Sequence, residues 1–268
     1  MNRIDKKFRE LEKKNQGALI AFVTAGDPSI RDTPKVVDAL IKGGVDLLEL
    51  GLPFSDPIAD GPTIQKASQR SLENGMNTDK YFSLVKKLDE KSGIPKICMT
   101  YYNLVLQRGL EKFARDCADT GIDGLIVSDL PPEESENLHE ACRKNNIHLI
   151  FLVAPTTTSD RLKKISKKSR GFIYVVSLLG VTGAREKLSS SIKPLLKKIK
   201  RTSKKVPLAV GFGISKPEHV REVLGAGADG VIVGSAFVKI IEKNLNNRKK
   251  TTPELEKFAR ALKSALVS

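Results

Sequence analysis

Short runs of consecutive apolar residues alternate along the chain with longer stretches in which apolar positions recur every three or four residues. The runs at 19–24, 47–51, 96–100, 124–128, 149–154, 172–177, 207–211 and 230–234 read as eight strands. Near-continuous apolarity marks a parallel strand covered on both faces. Amphipathic helices are predicted between them at 33–42, 78–91, 110–119, 132–144, 160–168, 192–200 and 217–224. Glycines stand where several of these helices should stop: Gly43-Gly44, Gly93, Gly121, and Gly225 with Gly227. Pro217 stands at a helix start, where its missing N–H costs nothing. Eight β–α repeats in a chain of this length predict an α/β fold, a single (β/α)8 TIM barrel over 1–268. An extra N-terminal helix at 4–14 precedes the first strand, and a C-terminal helix at 253–267 closes the chain. An open doubly wound sheet would call for G-x-G-x-x-G after the first strand, but 23–28 reads Val-Thr-Ala-Gly-Asp-Pro.

Composition narrows the class. Apolar residues make up 40 % of the 268, enough for a substantial core. No apolar run reaches the roughly 18–20 residues that span a bilayer. The first residues, Met-Asn-Arg-Ile-Asp-Lys-Lys-Phe, contain no apolar segment of the secretory kind, so a cytoplasmic protein is expected. Cys98, Cys117 and Cys142 are an odd number without C-x-x-C spacing, which argues against a disulfide framework or a zinc site. Lysine and arginine number 46 against 31 acids, a net charge of +15. That excess invites a nucleic-acid reading. However, the lysines are spread over the predicted helices, aromatics are 5 % and Trp is absent, leaving little to stack on bases. The surface reads as solvated and lysine-rich, able to steer an anionic substrate; no nucleic acid and no membrane are expected as partners.

The barrel places chemistry at the C-terminal ends of its strands. Phe22, Glu49, Asp60, Tyr101, Tyr102, Asp129, Tyr174 and Thr182 fall at or just past those ends. Glu49 stands out: it interrupts the apolar run Leu47, Leu48, Leu50, Leu52, where a carboxylate is costly unless paired, solvated or used. The loop that follows carries Asp56 and Asp60. After the last two strands come Gly211-Phe212-Gly213 and Gly234-Ser235. Glycines there let a phosphate approach backbone N–H groups, and a helix start adds a favourable dipole. The glycine-containing loop at 178–185 reads equally as a lid over substrate or an ordinary surface loop. His139 and His219 fall in helical patterns and His148 at a strand start, away from the active end. Acid–base work is left to carboxylates, tyrosines or lysines, and no metal site is expected.

The stretch at 48–65, Leu-Glu-Leu-Gly-Leu-Pro-Phe-Ser-Asp-Pro-Ile-Ala-Asp-Gly-Pro-Thr-Ile-Gln, closely resembles the signature of the tryptophan synthase alpha chain family. The motifs at 25–28, 102–104, 129–134, 180–184, 211–215 and 233–236 follow in that family's order, so the resemblance covers essentially the whole chain. It implies a carbon–carbon lyase of tryptophan biosynthesis that cleaves indole-3-glycerol phosphate to indole and glyceraldehyde 3-phosphate. By the same resemblance Glu49 is the general acid and base, and Asp60 the partner of the indole N–H. Phe22, Met99, Ile126 and Leu152 look like the indole wall; simple core packing is the plainer reading of Phe22 and Leu152. Tyr174, Thr182 and Gly183 look like groups closing over the glycerol phosphate, with Thr182 positioning Glu49. Asp56 and Asp129 read as loop-orienting residues. The family implies no cofactor in this chain. It implies a pyridoxal-phosphate beta subunit as partner in an alpha2beta2 heterotetramer, contacted through the Asp56 and Gly180 loops. A free-standing lyase, or a basic barrel binding phosphorylated ligands or RNA, are the competing readings.

Overall fold

The computed structural model describes residues 1–176, 189–203, 206–211 and 213–267. Among them nine strand segments alternate with helices. The strands are β1 (Ala18–Thr24), β2 (Leu47–Gly51), β3 (Lys96–Thr100), β4 (Gly124–Val127), β5 (His148–Leu149), β6 (Leu152–Val153), β7 (Ile173–Val176), β8 (Leu208–Gly211) and β9 (Gly230–Val233). They form one parallel sheet in the order β5-β4-β3-β2-β1-β9-β8-β7-β6. Its two ends, β5 and β6, are halves of one stretch interrupted at Ile150 and Phe151. The Ile150 amide donates to the Leu125 carbonyl at 2.9 Å and the Tyr174 amide to the Phe151 carbonyl at 3.0 Å. One segment therefore bonds β4 on one side and β7 on the other, and the sheet closes into a barrel of eight strand positions.

The helices are α1 (Arg3–Lys13), α2 (Thr33–Lys42), α3 (Pro62–Glu73), α4 (Thr78–Asp89), α5 (Tyr102–Arg108), α6 (Leu110–Asp119), α7 (Glu136–Lys144), α8 (Ser159–Lys168), α9 (Ser189–Thr202), α10 (Pro217–Gly225), α11 (Ser235–Lys243) and α12 (Arg248–Ser264). Strand side chains split by parity between two cores. Leu19, Ala21 and Val23 pack outward under the helices, whereas Ala18 and Ile20 fill the lumen. On β2, Leu48 and Leu50 go outward and Leu47 inward. Glu49 thus shares the lumen face.

Helix α1 seals the end of the barrel where the strands begin. Its stripe Ile4, Phe8, Leu11 joins the lumen core, with the Phe8 and Phe172 rings 5.8 Å apart. Asn2 caps it, accepting from the Ile4 amide at 2.9 Å and donating to the carbonyls of Asp123 and Asn146. The open end is therefore the one where strands finish.

Two helices form where the sequence reading left loops. In α3 the buried stripe is Ile64, Ala67, Ser68 and Ser71, too small and polar to register as an apolar period. In α5 only Val105 is buried, and the fold holds its first turn through Asp129, which accepts from the Tyr102 amide at 2.8 Å. Helix α7 starts at Glu136 rather than 132, because Ser135 Oγ donates to the Pro132 carbonyl in a turn. Helix α12 begins five residues ahead of its proline, in a charged stretch without apolar period. No helix among the described residues is long and apolar enough to cross a membrane.

Candidate active site

Glu49 lies opposite Phe22 of β1 and Ile97 of β3. It is 0 % exposed, and neither carboxyl oxygen has a hydrogen-bond partner among the described residues. Burial, and secondarily the charge of Asp60, raises its pKa from 4.5 to about 8. It therefore stands in the lumen at neutral pH as a protonated acid. Gly51, two residues on, has no side chain to block the face above: a Cβ there would come within 2.9 Å of the Phe22 ring.

The chain then leaves the barrel as the loop of 52–61. The Ile58 amide donates to the Asp56 carbonyl at 2.9 Å and the Asp60 amide to the Pro57 carbonyl at 3.0 Å. Gln65, in the first turn of α3, donates to the Asp60 carbonyl at 2.8 Å. Tyr101, at the end of β3, ties the loop down: its hydroxyl accepts from the Ala59 amide at 3.1 Å, and its ring lies 5.3 Å from Phe54. Asp60 is half-buried. Burial raises its pKa to about 6, against the opposing hydrogen bond of Tyr101. A narrow cleft is lined by Phe22, Gly51, Phe54, Asp60, Ile64, Met99 and Tyr101. Farther back, Arg70 of α3 grips the buried Asp27 carboxylate through two hydrogen bonds, 2.8 and 2.9 Å, and approaches Glu242 of α11 at 3.7 Å. The helix holding Asp60 is thus braced against both the β1 loop and α11.

The remaining sequence candidates sort by strand. Phe22 and Met99 line the cleft, and Ile126, Leu152 and Tyr174 lie on the lumen face below and beside it. Tyr174 arches over Gly211 at the end of β8, where a Cβ would sit 2.5 Å from the tyrosine hydroxyl. Gly213 has φ +79°, a conformation suited to glycine. Gly234 is the uncapped N-cap of α11, whose first residue is Ser235. The ends of β8 and β9 thus lie side by side, with the helix N-terminus on the second. Thr182, Gly183, Phe212 and the loop of 178–185 lie outside the described residues.

Asp129 orients α5, as noted, and Asp56 is exposed and accepts from Ser55 Oγ at 2.5 Å. The histidines are occupied elsewhere: His148 Nε2 lies 2.9 Å from Asp5, His139 Nε2 3.2 Å from the Lys168 carbonyl, and His219 Nδ1 accepts from the Ser215 amide. Sequence reasoning gave no role to Ile64, Thr24 or Ser128. Counting alternate residues from Phe22 and Ile126 finds the last two, whose Oγ atoms are buried and unpartnered among the described residues.

Known proteins resemble this chain in sequence and fold. The family model for the tryptophan synthase alpha chain matches residues 8–267. The chain is 55 % identical to the tryptophan synthase alpha chain of Methanosarcina barkeri over 266 residues, 98 % of this chain and 97 % of that one. It is 46 % identical to the Arabidopsis thaliana alpha chain over 261 residues, 97 % and 94 % of the two chains. The crystal structure of the alpha subunit from Legionella pneumophila superposes with TM-score 0.92 at 36 % identity, covering 99 % of this chain and 98 % of that one. The tryptophan synthase a2b2 complex of Pyrococcus furiosus contains a chain that superposes with TM-score 0.86 at 42 % identity, covering 92 % and 98 %. A family model matched over residues 8–267, with a relative 55 % identical along nearly the whole length, places this chain in the tryptophan synthase alpha chain family.

Proposed function

We propose that this chain catalyses the retro-aldol cleavage of indole-3-glycerol phosphate to indole and glyceraldehyde 3-phosphate. The observation that carries the reading is Glu49, a protonated and unpartnered carboxyl in the barrel lumen, with the half-buried carboxyl of Asp60 in the loop that follows. The Glu49 carboxyl donates its proton to indole C3. The positive charge that develops reaches the ring nitrogen, where the Asp60 carboxylate accepts the N–H and stabilises it. The Glu49 carboxylate then takes the proton of the hydroxyl on the side-chain carbon bonded to the ring. The carbon–carbon bond breaks, its electron pair restores the aromatic ring, and that carbon becomes the aldehyde. Glu49 ends protonated, as it began. Desolvation keeps the proton available for the first step.

Phe22, Met99, Ile126 and Leu152 supply the wall against the indole. The backbone at Gly211, Gly213 and Gly234, with the N–H groups and dipole at Ser235, suits the phosphate. Anchoring that end makes the proton transfers effectively intramolecular. Tyr174 stands between the two halves. Phe212, Thr182 and Gly183 are assigned to the same site on family resemblance.

A beta subunit is the partner this reading takes, in an alpha2beta2 assembly that receives the indole. Two large apolar side chains on the rim support it: Ile58 in the Asp60 loop is 85 % exposed and Leu106 on α5 is 52 % exposed. Assaying indole release from indole-3-glycerol phosphate tests the activity, and repeating it with a beta subunit tests the partnership. Full activity of the chain alone would favour a free-standing lyase. Glu49→Gln with near-normal turnover would overturn the mechanism.

A further inference from the structure

One lumen-facing hydroxyl has no part in the chemistry above. On β4, Leu125 and Val127 pack in the outer core and Ile126 in the lumen core. The Ser128 amide donates to the Thr100 carbonyl at 3.0 Å, which extends the β3–β4 ladder by one residue and preserves the alternation. Ser128 therefore follows Ile126 on the lumen side, one layer nearer the open end. Its Oγ is buried without a hydrogen-bond partner among the described residues. Such a group destabilises the fold unless something pairs with it, and alanine would avoid that cost.

The two acids orient the ligand. In the lyase reading Glu49 delivers its proton to one face of the indole at C3, and the in-plane ring N–H would point at Asp60, so Asp60 sets the direction of the nitrogen edge. Asp60 belongs to a loop pinned by Tyr101 at the end of β3, which would put the nitrogen side of the bicycle toward β3. On that pose C7, which adjoins the nitrogen, and C6 beside it would lie toward β3 and its neighbour β4.

We propose that Ser128 is a specificity-determining residue that lets this pocket take indoles bearing a hydroxyl at C6 or C7. The substituent and Ser128 Oγ would exchange a hydrogen bond, with the bond-making steps unchanged. The inference rests on the lyase reading above. It is tested in the condensation direction, joining glyceraldehyde 3-phosphate to indole, 6-hydroxyindole or 7-hydroxyindole. Ser128→Ala is expected to lower kcat/KM for at least one hydroxyindole relative to indole by roughly three- to tenfold. Ser128→Cys, close in volume but a weak donor, is expected to shift the ratio in the same direction, which separates lost hydrogen bonding from lost volume. Ratios within about twofold of the unmodified protein for both hydroxyindoles in both variants would overturn the assignment while leaving the lyase reading intact. A folded protein that condenses none of the three would overturn both.

Discussion

The two ends of the barrel treat their polar residues in opposite ways. Where strands begin, nearly every charge has a partner. Asp46, Asp123 and Asp229 each precede a strand, and each accepts an amide from the first two residues of the neighbouring one, Leu19, Lys96 and Leu208, at 2.8–2.9 Å. Asp46 also takes Lys263 at 2.6 Å, and Asp123 takes Arg3 at 2.7 Å. Lys96 has a fully buried side chain, bonded to Asp89 at 2.6 Å and to the carbonyls of Ser92 and Ile94. Toward the strands' finish, the side-chain oxygens of Glu49, Thr24 and Ser128 are buried without a hydrogen-bond partner among the described residues. Paired groups hold strand register. Unpaired buried groups cost stability, and the proposed function gives them a ligand to meet.

The contrast makes opposite demands on mutation. The largest expected effect is on turnover: Glu49→Gln should lower kcat for indole release by about a thousandfold or more, within the usual range for a general acid–base group. The same substitution should stabilise the fold. An unfolded Glu49 titrates near 4.5 and the folded one near 8. Between these values the unfolded chain gives up its proton first, so stability falls as pH rises through that window. Glutamine cannot titrate, and at pH 7 should recover on the order of 3 kcal/mol. Denaturant unfolding of both proteins at pH 5 and pH 8 checks it: equal gains at the two pH values would break the contrast.

Asp60→Asn should cost less, roughly ten- to a hundredfold in kcat/KM, because the amide oxygen still accepts the indole N–H without the charge. The pH profile sharpens this. Activity needs Asp60 ionised and Glu49 protonated, so kcat/KM should rise through about 6, fall through about 8 and peak between them. Asp60→Asn should abolish the acid limb and move the alkaline limb down, since Glu49 loses a neighbouring negative charge. A two-limbed profile in Asp60→Asn would show that another group sets the lower limb.

At the opposite end the effects should be on stability. Asp123→Ala removes partners from Arg3 and from the Lys96 amide, and should destabilise by about 2–3 kcal/mol with kcat retained at temperatures where the protein is folded. His148→Gln, which touches one part-buried pair with Asp5, should cost about 1 kcal/mol. A large loss of kcat from either, measured on folded protein, would erase the distinction between the ends.

Much of this was legible in the sequence for identifiable reasons. The strands are apolar on both faces, so their runs are unmistakable, and all eight positions fall where those runs lie. The fifth reads as one run, but its pairing skips Ile150 and Phe151 within the run, and apolarity carries no record of hydrogen bonding. Helix α3 was hidden because its buried stripe is built of Ala and Ser, and α5 because a tertiary hydrogen bond from Asp129 organises its start. Glu49 announced itself as a charge in an apolar run. Tyr101, by contrast, drew notice only as a strand-end residue; its grip on the Asp60 loop depends on β3 lying beside β2.

The sequence by itself determined the order of the strands and of most helices, and it marked Glu49 as a charge inside an apolar run, because hydrophobic period is a property of neighbouring residues; the pairing of Glu49 with Asp60 as candidates came from the family resemblance. Only the tertiary structure decided that Glu49 faces the lumen rather than the helices, and that its carboxyl is buried without a hydrogen-bond partner among the described residues and so holds its proton at neutral pH. It also decided that Asp123, an acid of the same kind, is spent on holding two strands in register. Desolvation and pairing depend on what surrounds a group in space, and residues far apart in the chain supply those surroundings.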